Sequence, residues 1–131
     1  MLLKIKHGLR VFSSRIREKK KEKRRSPQWS DVRDNFLLKH PKCEACGGTD
    51  QLQVHHIIPF HVNKNLELDE NNLITLCMGK NECHLEIGHG DSWKCYNPKV
   101  KDDALNFFKN PGHRNFLVEE IKSRRIHSSK Q

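Results

Sequence analysis

Hydrophobic residues in this chain come in short, separated groups whose spacing changes along the sequence. Trp29, Val32, Phe36 and Leu37 fall three and four apart, the stripe of an amphipathic helix. Ser26-Pro27 offers an N-cap followed by proline at the first helical position, and His40-Pro41 stops the pattern, so a leading helix is predicted within residues 26–42. Leu52–Ile58 carries β-branched residues and is halted by Pro59, which predicts a short strand. The polar, acidic stretch 60–71 reads as a loop, and Asn72–Cys77 as the returning strand. Glu82-Cys83-His84 should open a second helix, kept short by Gly88 and Gly90. Residues 91–99 look irregular. Val100–Lys109 reads as a helix that buries Ala104, Phe107 and Phe108, and Asn110-Pro111-Gly112 as a turn. His113–Ile126 reads as a last helix with Phe116, Leu117 and Ile121 inward and a basic end at Lys122, Arg124 and Arg125. There is no internal repeat.

Strands and helices on so short a chain give an α+β core, but a thin one. The 131 residues suffice for one modest domain, and only 34% of them are hydrophobic. Small domains with thin cores often add a metal or disulfides as a staple. No apolar h-region forms in Met1–Val11, because Lys4, Lys6, His7 and Arg10 interrupt it. No run approaches the ~18 apolar residues of a membrane span. The chain therefore reads as soluble and intracellular, where five cysteines point to metal ligation before disulfides.

Charge separates an N-terminal arm from the rest. Residues 1–25 hold eleven Lys/Arg against two acids, whereas residues 26–131 hold fourteen of each sign. The whole net charge of +9 thus sits on the arm, densest at Lys19, Lys20, Lys21, Lys23, Arg24 and Arg25. Such an arm suits the phosphates of a nucleic acid; the bland alternative is a solvated tail, with at most a short helix around residues 8–21.

Cysteines and histidines supply the candidate chemistry. Cys43-x2-Cys46 is followed 30 residues later by Cys77-x5-Cys83, and Gly47 and Gly48 allow the first pair its knuckle turn. Two close pairs of soft thiolates match a structural tetrahedral zinc site. The second spacing is wide, so Cys77 as a buried core thiol, with Cys95 or nothing in its place, stays open. Nine histidines are many for this length, and five lie between residues 55 and 89: His55, His56, His61, His84 and His89. A zinc held by all four cysteines would draw the strand bearing His55-His56 toward the turn at Cys83-His84.

In order, Cys43-x2-Cys46, Val54-His55-His56-Ile57-Ile58-Pro59, Asn72-Leu73-Ile74-Thr75-Leu76-Cys77 and Cys83-His84 closely resemble the HNH endonuclease family, with small phage-type members nearest in character. The resemblance spans about residues 43–90. It implies a ββα-metal, treble-clef-like core flanked by helices, with the arm at 1–25, the leading helix at 26–42 and a helical extension at 91–131. It implies His55 and His84 as ligands of one catalytic divalent cation, with His89 a further or alternative ligand. It implies His56 as the general base and Asn72 as the residue that orients the base's loop or approaches the metal. The expected activity is hydrolysis of phosphodiester bonds in double-stranded DNA, leaving a 5′-phosphate and a 3′-hydroxyl, with a phage packaging partner as a further suggestion. Imidazole at position 55, where the family usually has aspartate, favours zinc or nickel, whereas carboxylates favour magnesium; Mg2+, Mn2+, Ni2+ and Zn2+ are the candidates. Adjacent residues of an ideal strand face opposite ways, so His55 and His56 can serve one site only if the strand kinks or bulges there. The other class of reading is a zinc-containing nucleic-acid-binding module without catalysis.

Overall fold

A computed structural model of the chain describes residues 24–129. The Gly8–Lys21 helix and Lys19, Lys20, Lys21 and Lys23 lie outside the described residues. Helix α1 spans Trp29–Lys39. It starts later than the sequence suggests because Ser26 caps a turn rather than the helix: its Oγ accepts from Gln28 N at 3.2 Å and its carbonyl from Trp29 N at 3.0 Å. Only Phe36 of its stripe is fully buried. His40 ends it, its N–H donating to Phe36 O at 2.8 Å.

The knuckle after α1 leads into an antiparallel hairpin of β1 (Leu52–His56) and β2 (Leu73–Cys77), with Leu52 opposite Cys77 and His56 opposite Leu73. All five residues of β2 are buried, whereas β1 is buried only at His55 and His56. The histidine end of β1 is therefore roofed, and its start is open. Strand β1 stops two residues short of Ile58 because Asn72 intervenes. Its carbonyl accepts from Ile57 N at 2.8 Å, and its side chain takes both the N–H (2.9 Å) and the carbonyl (3.1 Å) of Ile58. Asn72 itself ends a short 3-10 turn (Glu70–Asn72) rather than opening β2.

The predicted second helix is a single π-helical turn, His84–Gly88, with His89 N donating to the carbonyls of both His84 and Leu85 at 3.2 Å. A tight loop and the short strand β3 (Cys95–Tyr96) follow, then α2 (Val100–Lys109), a 3-10 turn (Pro111–His113), α3 (Arg114–Arg124) and β4 (Ile126–His127), which pairs with β3. Residues 91–99 are thus less irregular than their sequence suggests.

One hydrophobic cluster joins the hairpin to the C-terminal helices: Leu76 and Ile87 pack in the same core as Val100, Phe107 and Ile121. Phe108 and Phe116, expected inside, are 59% and 71% exposed. Phe107 and Leu117 take the inward positions, since each pair of neighbours can bury only one member on a single helix face. Two polar clamps fix the π-turn to this layer. Asn97 Nδ2 donates to Ile87 O (3.0 Å) and to Asp103 (2.7 Å), which Arg124 also holds at 2.6 Å. Arg114 pairs with Glu86 at 2.6 Å, donates to Asn81 O and lies over Phe107.

Residues 91–129 are accordingly part of the core that positions the π-turn. Ile121→Ala, at a fully buried position, should destabilise the protein by about 2–5 kcal/mol in chemical denaturation. Phe116→Ala, at an exposed one, should stay within about 0.5 kcal/mol. Equal effects would mean that the last helix does not share the core.

Candidate active site

Four sulfurs converge where the knuckle meets the end of β2. Cys43, Cys46, Cys77 and Cys83 place their Sγ atoms within 4.8 Å of one another, with Cys46 and Cys77 3.7 Å apart. Tetrahedral zinc with Zn–S near 2.3 Å needs sulfurs about 3.8 Å apart. The backbone suits thiolates: Cys46 N points to Cys43 Sγ at 3.5 Å and Gly48 N to Cys46 Sγ at 3.4 Å. Gly47, at φ +74°, makes the turn that aims these N–H groups. Cys83 gives its S–H to Cys43, which pulls the Cys43 thiol down to about 4 and pushes Cys83 up. The donor set thus fits a zinc ion, and the wide Cys77–Cys83 spacing does not prevent it. Cys95 is buried away from the cluster.

Cys83 and His84 are neighbours in sequence yet serve different clusters. His55, His84 and His89 form a second group of potential ligands, again within 4.8 Å, with ring centroids 4.8–5.0 Å apart. Two of these come from the π-turn, and its winding explains why. Positions five apart diverge by roughly 140° around an α-helix. A π-turn bonds residue i to i+5, which returns them to one face. The expected α-helix would have separated His84 from His89. The turn also lies close against β1: a Cβ on Gly88 would come within 3.3 Å of His55 Cε1 and 3.2 Å of Leu76 Cδ1.

Outer hydrogen bonds set the tautomers of two of these rings. His84 Nδ1 lies 3.1 Å from Gln53 Oε1, and His89 Nδ1 lies 2.7 Å from the Cys95 carbonyl. Both oxygens accept, so each Nδ1 carries the proton and each Nε2 presents a lone pair, the arrangement that metal-ligating histidines use. His84 Nε2 is 3.0 Å from His55 Nδ1, while His55 Nε2 is buried with no hydrogen-bond partner among the described residues. Burial keeps the rings neutral. It holds His84 at about 4, with His89 adding repulsion, and lowers His89 and, most strongly, His55. Three neutral imidazoles whose ring nitrogens lie within 4.8 Å of one another fit a divalent cation of the zinc or nickel type.

His56 stands apart from this triad. The ladder runs unbroken through His55 and His56, without the bulge that the sequence reading required, so the two rings leave β1 on opposite faces. His56 faces α1 and the loop: its ring is 4.3 Å from Trp29, and its Nε2 is 2.9 Å from the Glu67 carbonyl. That carbonyl can only accept, so the proton is on Nε2 and the lone pair on Nδ1. Burial lowers the pKa of His56. Arg25 reaches Nδ1 at 3.5 Å and lies over Phe60 at 4.9 Å. Glu67, which the sequence did not single out, organises this face. Its buried carboxylate accepts from Ser26 N at 3.1 and 3.2 Å and lies 3.8 Å from Arg25. Asn72 makes all its side-chain bonds to backbone, including Leu66 O at 3.2 Å, and so clamps the loop. Arg24 is exposed. Gln53, Cys95 O and Glu67 act through hydrogen bonds formed only in the fold, which is why no sequence pattern marked them.

The class that this fold and these two clusters define has a family counterpart. Residues 43–90 match the family model described as HNH endonuclease; no curated protein and no solved structure matches the chain. That segment thus resembles a family of metal-dependent nucleases that act on nucleic acid, and it lies in an α+β fold. Among the described residues no helix is long and apolar enough to cross a membrane.

The neutral triad makes the fold acid-sensitive. An unfolded histidine protonates near pH 6.5, whereas folded His84 does so only near pH 4. Between these values the unfolded chain binds more protons, so stability must fall as pH falls. Urea unfolding from pH 7 to pH 4 should show this loss, and His84→Asn, with all cysteines in place, should show a smaller slope. An unchanged slope in the variant would mean that His84 is not buried neutral.

Proposed function

We propose that this protein is an endonuclease that hydrolyses phosphodiester bonds in DNA, with His55, His84 and His89 holding one divalent cation and His56 acting as general base. The observation that carries this reading is the convergence of three imidazoles at the end of β1. Because the unbroken ladder sends His56 to the other face, the scissile phosphate has to straddle the end of the strand for cation and base to act on it together. A cation on the triad would polarise the scissile phosphate and take up charge developing on the leaving oxygen. His56 Nδ1 takes a proton from water as the water oxygen bonds to phosphorus and the bond to the 3′ oxygen breaks, that oxygen then taking a proton from solvent. The products are a 5′-phosphate and a 3′-hydroxyl. The lowered pKa of His56 keeps that nitrogen unprotonated at neutral pH, and Arg25, whose guanidinium lies 3.5 Å from it, has to turn to a phosphate for water to reach it. The Glu67 carbonyl fixes the ring, and Asn72 fixes the loop that carries Glu67. Arg25 beside His56, together with Arg24 and the lysines of the arm, supplies positive charge for the phosphates flanking the cut.

The test is nicking of supercoiled plasmid across Mg2+, Mn2+, Ni2+ and Zn2+ by the full chain and by His56→Ala. Cleavage with at least one cation, reduced by about 100-fold or more in a variant that still folds and binds DNA, is expected. Binding without cleavage by either protein under every cation would favour a non-catalytic zinc-containing nucleic-acid module instead.

A further inference from the structure

Trp93 is 52% exposed, yet its ring lies 4.8 Å from His89 and 5.2 Å from His84, two members of the triad. The other large exposed hydrophobics among the described residues, such as Leu38, Phe108 and Phe116, make no ring contact with the triad. Neither histidine stacks flat on the indole, the interplanar angles being 86° and 57°, and 52% of the residue's surface stays open to a further contact.

The loop holding the indole is tightly tied. Ser92 N donates to His89 O (3.4 Å), Cys95 N to Ser92 O (2.9 Å), and Ser128 N and Oγ both to Lys94 O (2.8 Å). The β3–β4 pair anchors its far end. A half-exposed indole on a backbone held this way loses less conformational freedom on binding a flat partner than one on an untied loop. It also has no packing reason to remain in water. In a fully paired duplex both faces of every base are covered by neighbours. A platform here therefore gains only from a base that has left the stack, and unstacking costs least where the base is already unpaired.

We infer that Trp93 is a stacking platform for an unpaired nucleobase next to the scissile phosphate, which makes the preferred substrate DNA with an unstacked nucleotide at the cut. The inference rests on the nuclease reading for its mention of a cut, but not for its binding. Its test uses the full zinc-loaded chain and three labelled duplexes of one sequence: fully paired, with one bulged dT, and with the bulged nucleotide abasic. Binding is read by anisotropy without added cation, and cleavage with Mg2+, Mn2+, Ni2+ and Zn2+ in turn.

The bulged duplex should be bound and cut roughly 5- to 100-fold better than the paired one, with the cut within one nucleotide of the bulge. The abasic bulge should lose this preference, Trp93→Ala should lose it, and Trp93→Phe should keep part of it. Equal handling of paired and bulged DNA, equal handling of the two bulges, or a preference retained by Trp93→Ala overturns the inference. If Trp93→Ala fails to fold, the comparison of the two bulges on the unaltered protein decides. A base-dependent preference in binding without any cleavage upholds the platform while defeating the nuclease reading. Cleavage with no preference does the reverse.

Discussion

Everything that could be chemistry in this protein hangs on the convergence of four sulfurs. Cys43 and Cys46 come from a knuckle, Cys77 from the end of β2, and Cys83 from the residue before the π-turn. A structural zinc in such a site contributes about 10–16 kcal/mol of apparent free energy, comparable to the whole stability of an ordinary domain. For a chain only 34% hydrophobic, that is the difference between a marginal and a secure core. It is also a positional constraint. With Cys83 fixed, His84 has little choice of where to go, and β1, laddered to the strand that carries Cys77, brings His55 to meet it.

The second constraint is the π-turn, which is rarer than an α-helical turn and is held on both sides. On one side Gly88 lets it press against His55; on the other, Asn97, Asp103 and Arg124 grip Ile87 O, while Arg114 grips Glu86. Residues beyond position 90 therefore shape the site without entering it. The groove between α1, the knuckle and α2, lined by Phe36, Glu44, Leu105 and Phe108, holds none of the candidate histidines, so its size says nothing about the chemistry.

Much of this was legible in the residues. The α+β class, the hairpin, Val100–Lys109 and the cysteine cluster follow from spacing and order, whereas the grouping of His55, His84 and His89 was implied by the family resemblance of residues 43–90. What was not legible depends on tertiary choice. Periodicity could not say which of Phe107 and Phe108, or of Phe116 and Leu117, turns inward, because both members of each pair are apolar. The π-turn was read as a helix because the difference lies in one extra residue per turn, needed to align His84 with His89. Strand alternation raised the right question about His55 and His56. The answer came from the far side of the fold, where Trp29, Glu67 and Arg25 make a separate environment for His56.

The claim that the cysteine staple builds the histidine triad is tested most directly by titrating Co2+ into metal-free protein and into its Cys46→Ser variant, followed by visible absorption. The account predicts two kinds of site in the unaltered chain: one with sulfur-to-cobalt charge transfer that fills first, and a weaker one without it. Both should be lost or severely weakened in Cys46→Ser. A variant that loses the sulfur band but binds cobalt at the second site with unchanged affinity would contradict it, since the triad would then assemble without the staple.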